Sequence, residues 1–276
     1  MFHRDLALEA LGSLLNSEVT SVQKRSSQVH HSGVAFSAAA AHEQLSIKQF
    51  IPTVLVAEES SEVSNSCFLH IQNVLQGHCQ AAGFAAAVQD TPTGKIFVID
   101  ENEFFASQYD YDFTNLRDTE TYRRGGEVYE RPCGWFRFGL KVLDKYDGNT
   151  WLGTSYRSTQ SVPGEWPVSY HGTSKQGAEG IIGGHYKPGS GQVYGRGIYS
   201  TPFMVDAIQY AKSFTSNTTG KRYKVILQNR INPQYREKHL QDRYWLIPIP
   251  AGTSPSQEQV MVDRSIRPYG LLLKEL

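Results

Sequence analysis

The sequence predicts an α+β fold, and three observations carry that expectation. Short apolar runs of strand length recur through the second half of the chain. Few segments show helical periodicity. The strand-like runs do not alternate with helices as a βαβ sheet requires. The runs are WFRFGLKVL at 135–143, PVSYHG at 167–172, GIYST at 197–201, YKVILQNRI at 223–231, QVMVD at 259–263 and YGLLLKEL at 269–276. Between them, helices are expected at about 174–182 and 203–214.

The elements before residue 134 read as follows. Leu8, Leu11 and Leu15 stand at helical spacing and predict an amphipathic helix over 4–15. Residues 18–48, rich in Ser, Gln and Ala, read as loop plus a short helix. Their histidines, His30, His31 and His42, lack metal-ligand spacing. IPTVLVAE at 51–58 reads as a buried strand and CFLHIQNVLQGHC at 67–79 as a helix ending near Gly77. FAAAVQD and KIFVID flank Thr91-Pro92-Thr93-Gly94, turn chemistry that predicts a hairpin. Residues 1–105 thus form a small α+β region without chemical specificity. Residues 106–133, rich in Tyr, Asp, Arg and Gly, read as a linker or irregular segment, and 134–276 as a second domain.

Composition narrows the function. With 276 residues, 39% of them hydrophobic and 12% aromatic, the chain can build a real core. Its 27 basic and 27 acidic residues cancel, so nothing draws it generally to nucleic acid or anionic membranes. The three cysteines, Cys67, Cys79 and Cys133, include no C-x-x-C pair, which argues against a disulfide framework or a zinc site. Cys133 beside Arg131 is either a reactive thiol or an inert one. No signal-peptide run opens the chain, and no stretch nears the roughly 18 apolar residues of a membrane span. The expectation is a soluble intracellular protein; secretion without a signal peptide stays open.

Three segments carry chemistry together. Ser169-Tyr170-His171-Gly172-Thr173 runs a strand into a glycine, where backbone can approach a ligand. Tyr194-Gly195-Arg196-Gly197-Ile198-Tyr199 leads to a helix start at Thr201-Pro202, with Tyr210 eleven residues past Tyr199. Two tyrosines facing one slot make a flat aromatic clamp suited to a planar ring. Gln257-Glu258-Gln259-Val260-Met261-Val262-Asp263 places a carboxylate at the opening of a strand. Each also reads blandly, as a core histidine, packed aromatics and a solvated glutamate. Gly189-Ser190-Gly191 lacks the preceding strand of a dinucleotide fingerprint.

The ordered set YHGT, GRGIYS with Tyr210, and QEQVMVD resembles the ADP-ribosyltransferase superfamily, in its diphtheria-toxin and poly(ADP-ribose) polymerase branch. The resemblance covers 134–276, about half the chain, and implies a split antiparallel β-sheet core with few helices. It implies NAD as co-substrate and no metal. His171, Tyr199 and Glu258 would be the catalytic set. His171 would hold a ribose hydroxyl, Gly172 the nicotinamide carboxamide and Thr173 the adenosine ribose. Tyr199 and Tyr210 would sandwich the nicotinamide, with Arg196 and Gly197 also on the NAD-binding path. Glu258 would stabilise positive charge on the ribose as nicotinamide leaves. Residues 183–194 fall where the family carries its donor loop. Ala207 departs from the pattern, standing where many members have a carboxamide-binding serine. The implied activity is transfer of ADP-ribose, one unit at a time, to a protein. The alternatives are an NAD glycohydrolase, a nucleic-acid ADP-ribosyltransferase, and an inactive module that keeps the NAD pocket.

Overall fold

The computed structural model describes residues 3–29, 41–62, 95–154, 158–172 and 194–276. The helices expected at 67–79 and 174–182, the first strand of the hairpin, Thr173 and residues 183–193 lie outside this set. The described residues form an α+β fold whose sheets are mostly antiparallel.

Helix α1 (Arg4–Leu15) buries Leu8, Leu11 and Leu15 along one stripe, as their spacing predicts. Strand β1 (Glu18–Ser21), helix α2 (Val22–Val29) and strand β2 (Ala41–Gln44) follow. Strand β3 (Lys95–Ile99) pairs in parallel with both β1 and β2, which take its two edges, so KIFVID is not the return strand of the expected hairpin. The expected strand at 51–58 is instead part of helix α3 (Ile47–Glu62). Its buried residues Ile47, Phe50, Ile51 and Val54 follow i, i+3, i+4, i+7, so helical burial outweighs the β-branched composition. Ser46 and Gln49 cap its start reciprocally, the Ser46 N–H donating to Gln49 Oε1 at 3.2 Å and the Gln49 N–H to Ser46 Oγ at 3.4 Å. Pro52 inside α3 cannot donate to the Lys48 carbonyl one turn back. That carbonyl accepts from Gln259 Nε2 at 2.6 Å instead.

The segment 106–132 holds ordered short strands. Helix α4 (Glu101–Phe104) precedes β4 (Tyr111–Asp112), β5 (Tyr122–Arg124) and β6 (Glu127–Tyr129), with Phe113, Tyr122 and Tyr129 buried. The main sheet then assembles from β7 (Phe136–Gly139), β8 (Val168–His171), β10 (Lys212–Thr215), β11 (Arg222–Ile231) and β14 (Ile266–Glu275). Its order is β10-β11-β14-β7-β4, and β8 also pairs with β11. Since β14 runs along the whole of β11, β8 and β10 share the opposite edge, on Leu227–Arg230 and Arg222–Val225 respectively. A smaller antiparallel sheet is ordered β12 (Glu237–His239), β13 (Tyr244–Pro248), β9 (Gly197–Ser200).

Two further expectations are corrected. The helix at 203–214 shrinks to α5 (Met204–Ala207), because Lys212–Thr215 forms a hairpin with β11. QVMVD is not a strand: it lies in helix α6 (Pro255–Ser265). Ser254 and Gln257 form a reciprocal capping box and Pro255 occupies the first turn, all helix-start chemistry. One apolar cluster joins α1 and α3 to the sheets, from Leu11, Phe50 and Val54 to Val225, Ile247, Val262 and Leu273. A second lies on the other side of the main sheet around Tyr170, Ile226, Leu272 and Ala207.

Candidate functional site

The site grows from a break in the edge of β11. Strand β8 ends on His171, opposite Leu227, and β10 begins on Lys212, opposite Val225. In that break Gly172 meets Tyr210. A Cβ on Gly172 would stand 2.5 Å from the Tyr210 carbonyl carbon and 2.6 Å from its oxygen. Only a residue without a side chain fits there.

His171 is buried at the end of β8. Its Nδ1 lies 2.6 Å from the Tyr199 carbonyl oxygen. A carbonyl can only accept, so Nδ1 carries the proton and Nε2 of the neutral ring is an acceptor. Burial pushes the imidazole below its ordinary pKa of 6.5, and the bond to Tyr199 offsets only part of that. The ring is thereby fixed in one tautomer and orientation by its neighbour strand.

Tyr199 is equally constrained. Its hydroxyl donates to the Gly195 carbonyl at 2.7 Å and accepts from the Tyr194 N–H at 3.1 Å. Burial raises its pKa, so it stays a neutral phenol. The Tyr194 ring stacks on His239 with centroids 4.1 Å apart. Gly197 lets β9 lie close on β13, since a Cβ there would fall 2.1 Å from the Ile247 carbonyl oxygen. Tyr210 is buried, and its hydroxyl has no hydrogen-bond partner among the described residues. Burial holds this phenol well above its ordinary pKa. Tyr199 and Tyr210 make no direct ring contact with each other among the described residues.

Side chains alternate across β9, and this decides what converges. Tyr199 shares its row with Leu246 and Glu237. Ile198 and Ser200 face the other way, with Ile247 and Trp245, and Ile198, Ile247 and Trp245 pack into the main cluster. Just before the strand, the Ile249 N–H donates to the Arg196 carbonyl, and the Arg196 guanidinium donates to the Ile249 and Pro250 carbonyls. Glu258, in the first turn of α6, comes within 3.8 Å of Arg196. Its carboxylate is therefore held next to the residue that precedes β9. His171, Gly172, Tyr199 and Tyr210 are brought together; Glu258 is paired with Arg196. Thr173 lies outside the described residues.

Other residues gather at this site without having been singled out. Asp206, in α5 next to the buried Ala207, accepts two bonds of 2.6 Å from Arg243. Tyr244 opens β13 on the Tyr199 face, two residues from Leu246, and its hydroxyl is also buried and unpartnered among the described residues. The strand YWLIP carried the signal, since its alternation puts Tyr244 and Leu246 on one face and Trp245 on the other. Glu130 links the two halves: its carboxylate accepts from the Met204 N–H at 3.1 Å, and its carbonyl accepts from the Tyr170 hydroxyl. Cys133 fits the inert reading, because burial pushes its thiol up.

Among the described residues no group of His, Cys, Asp and Glu could hold a metal ion. No described helix is long and apolar enough to cross a membrane. No family model matches the chain, and no curated protein matches it.

Proposed function

We propose that the chain is an NAD-dependent ADP-ribosyltransferase with a split-sheet core of that superfamily's type, acting inside the cell on a protein acceptor. The observation that carries this reading is the meeting of His171, Gly172, Tyr199 and Tyr210 at the break in β11's edge. A neutral imidazole with an accepting Nε2 suits a ribose hydroxyl. The Gly172 backbone, which packs on Tyr210, is the proposed partner of the carboxamide. The unpartnered Tyr210 hydroxyl fits a ligand-lined slot. Tyr199 and Tyr210 would flank the nicotinamide ring.

In the reaction the bond between the ribose C1′ and the nicotinamide nitrogen breaks. Its electron pair neutralises the pyridinium, and nicotinamide departs. The positive charge left on the ribose is quenched by the acceptor's nucleophile, which then loses its proton. Glu258 is the proposed carboxylate for that charge. Losing such a group costs about two to three orders of magnitude in rate. Glu258→Ala is therefore expected to lower transfer from labelled NAD by that factor while NAD still binds. Transfer at the full wild-type rate would remove Glu258 from the mechanism. Separate protein, RNA, DNA and water-only reactions identify the acceptor, and a single mass step of one ADP-ribose supports mono-transfer.

A second reading, a module that binds NAD without turning it over, is favoured by two observations. Glu258 is engaged by Arg196 at 3.8 Å, and Ala207 offers only a buried methyl where a hydroxyl would help hold the carboxamide. NAD binding by the wild type without nicotinamide release would decide for this reading.

A further inference from the structure

We infer that Arg243, Tyr244 and Tyr210 form an oxyanion subsite beside Tyr199, built to take a phosphoryl group such as the diphosphate of a dinucleotide. Three features place these residues in one polar cluster. Arg243 and Tyr244 are chain neighbours at the head of β13, the strand paired with Tyr199's strand. Asp206 lies four residues before Tyr210 and is clamped by Arg243 through Nε and one terminal nitrogen. Tyr244 lies on the same face of the small sheet as Tyr199.

The donor balance identifies the ligand's chemistry. The Tyr210 and Tyr244 hydroxyls are both buried, and neither has a partner among the described residues. A buried unpaired hydroxyl is unfavourable, and a ligand acceptor relieves it. Burial holds both phenols protonated, Tyr244 at about 12, so at neutral pH both can donate. Arg243 spends Nε and Nη2 on Asp206 and has half its side chain exposed. The Asp206 carboxylate is already met by this guanidinium, so the surplus at the cluster is of donors. Two unpaired phenol donors beside a half-exposed guanidinium suit an oxygen-rich acceptor such as a phosphoryl group.

The test is calorimetric titration of the intact protein with inorganic pyrophosphate and, separately, with NAD. Wild type is expected to bind pyrophosphate. Tyr244→Phe, which removes one oxygen and leaves the ring, should weaken that binding about tenfold, the scale of one charge-assisted hydrogen bond. Arg243→Gln should weaken it further. Because Arg243→Gln leaves Asp206 buried and unpaired, Tyr244→Phe decides the matter if the other variant fails to fold. No pyrophosphate binding by the wild type, or unchanged affinity in Tyr244→Phe, overturns the subsite. Pyrophosphate bound with NAD refused would instead sink the NAD reading and leave the subsite standing.

Discussion

The contact between Gly172 and Tyr210 gives the sharpest handle on the pocket. Gly172→Ala would set a methyl 2.5 Å from the Tyr210 carbonyl carbon and Cβ. Carbon atoms settle at about 3.5 Å or more, so the two segments must part by about 1 Å. Two of the nearest atoms are backbone, so a rotamer change cannot absorb the strain. Overpacking of this kind costs about 1–3 kcal/mol, and a melting curve should fall by several degrees. The functional loss should exceed the structural one. Tyr210 flanks the proposed nicotinamide slot, and a 1 Å misplacement in a positioned site can cost about a hundredfold. The assay is NAD titration by calorimetry at a temperature where the variant remains folded, judged by circular dichroism. A folded Gly172→Ala protein binding NAD as tightly as wild type would refute the claim that this junction lines the pocket.

Two further outcomes follow from titrating groups. The His171 pKa is depressed below 6.5 by burial, so below that pH the unfolded chain takes up a proton that the folded one resists. Stability should therefore fall as pH drops through 6.5, and His171→Asn, which can still donate to the Tyr199 carbonyl, should flatten that slope in denaturant titrations. Glu130 has the opposite sign: burial raises its carboxyl above 4.5, so its contribution to stability is lost as pH rises through the raised value. Glu130→Gln keeps an acceptor for the Met204 N–H and should melt no lower than wild type at pH 7, whereas Glu130→Ala should lose about 1 kcal/mol with that cap. A lower melting point for Glu130→Gln would show that the charge itself is needed.

Much of the fold was legible because burial wrote itself into the sequence at the right period. Leu8, Leu11 and Leu15 predict α1, and the long apolar runs predict β11 and β14. The two misread helices share one cause. IPTVLV and QVMV are rich in β-branched residues, which favour strands locally, but tertiary burial along a 3.6-residue stripe prevails in α3. Both helices open with Ser-x-x-Gln, Ser46 to Gln49 and Ser254 to Gln257, and that capping signal was in the sequence. Even the proline in α3 is answered from α6, through Gln259 and the Lys48 carbonyl, a pairing that residues 211 apart could not announce.

The site divides in the same way. His171-Gly172 and Gly197 to Tyr199 stand on strands that local pattern identifies, and the fold brings them together. Glu258 joins them in the sequence through a short match and an expected strand after it, and that strand is not formed. Its segment is a helix, and its partner there is Arg196, just before β9. Tyr244, Asp206 and Arg243 went unread because their meeting depends on strand β13 pairing with β9 and on where α5 ends.

The central claim is that His171, Gly172, Tyr199 and Tyr210 line a pocket for NAD. Calorimetric titration of the intact protein with NAD, run beside His171→Ala, tests it most directly. Saturable binding to a single site is expected in the wild type, with a clear loss of affinity in the variant. No saturable binding by the folded wild type, or equal affinity in both proteins, would contradict it.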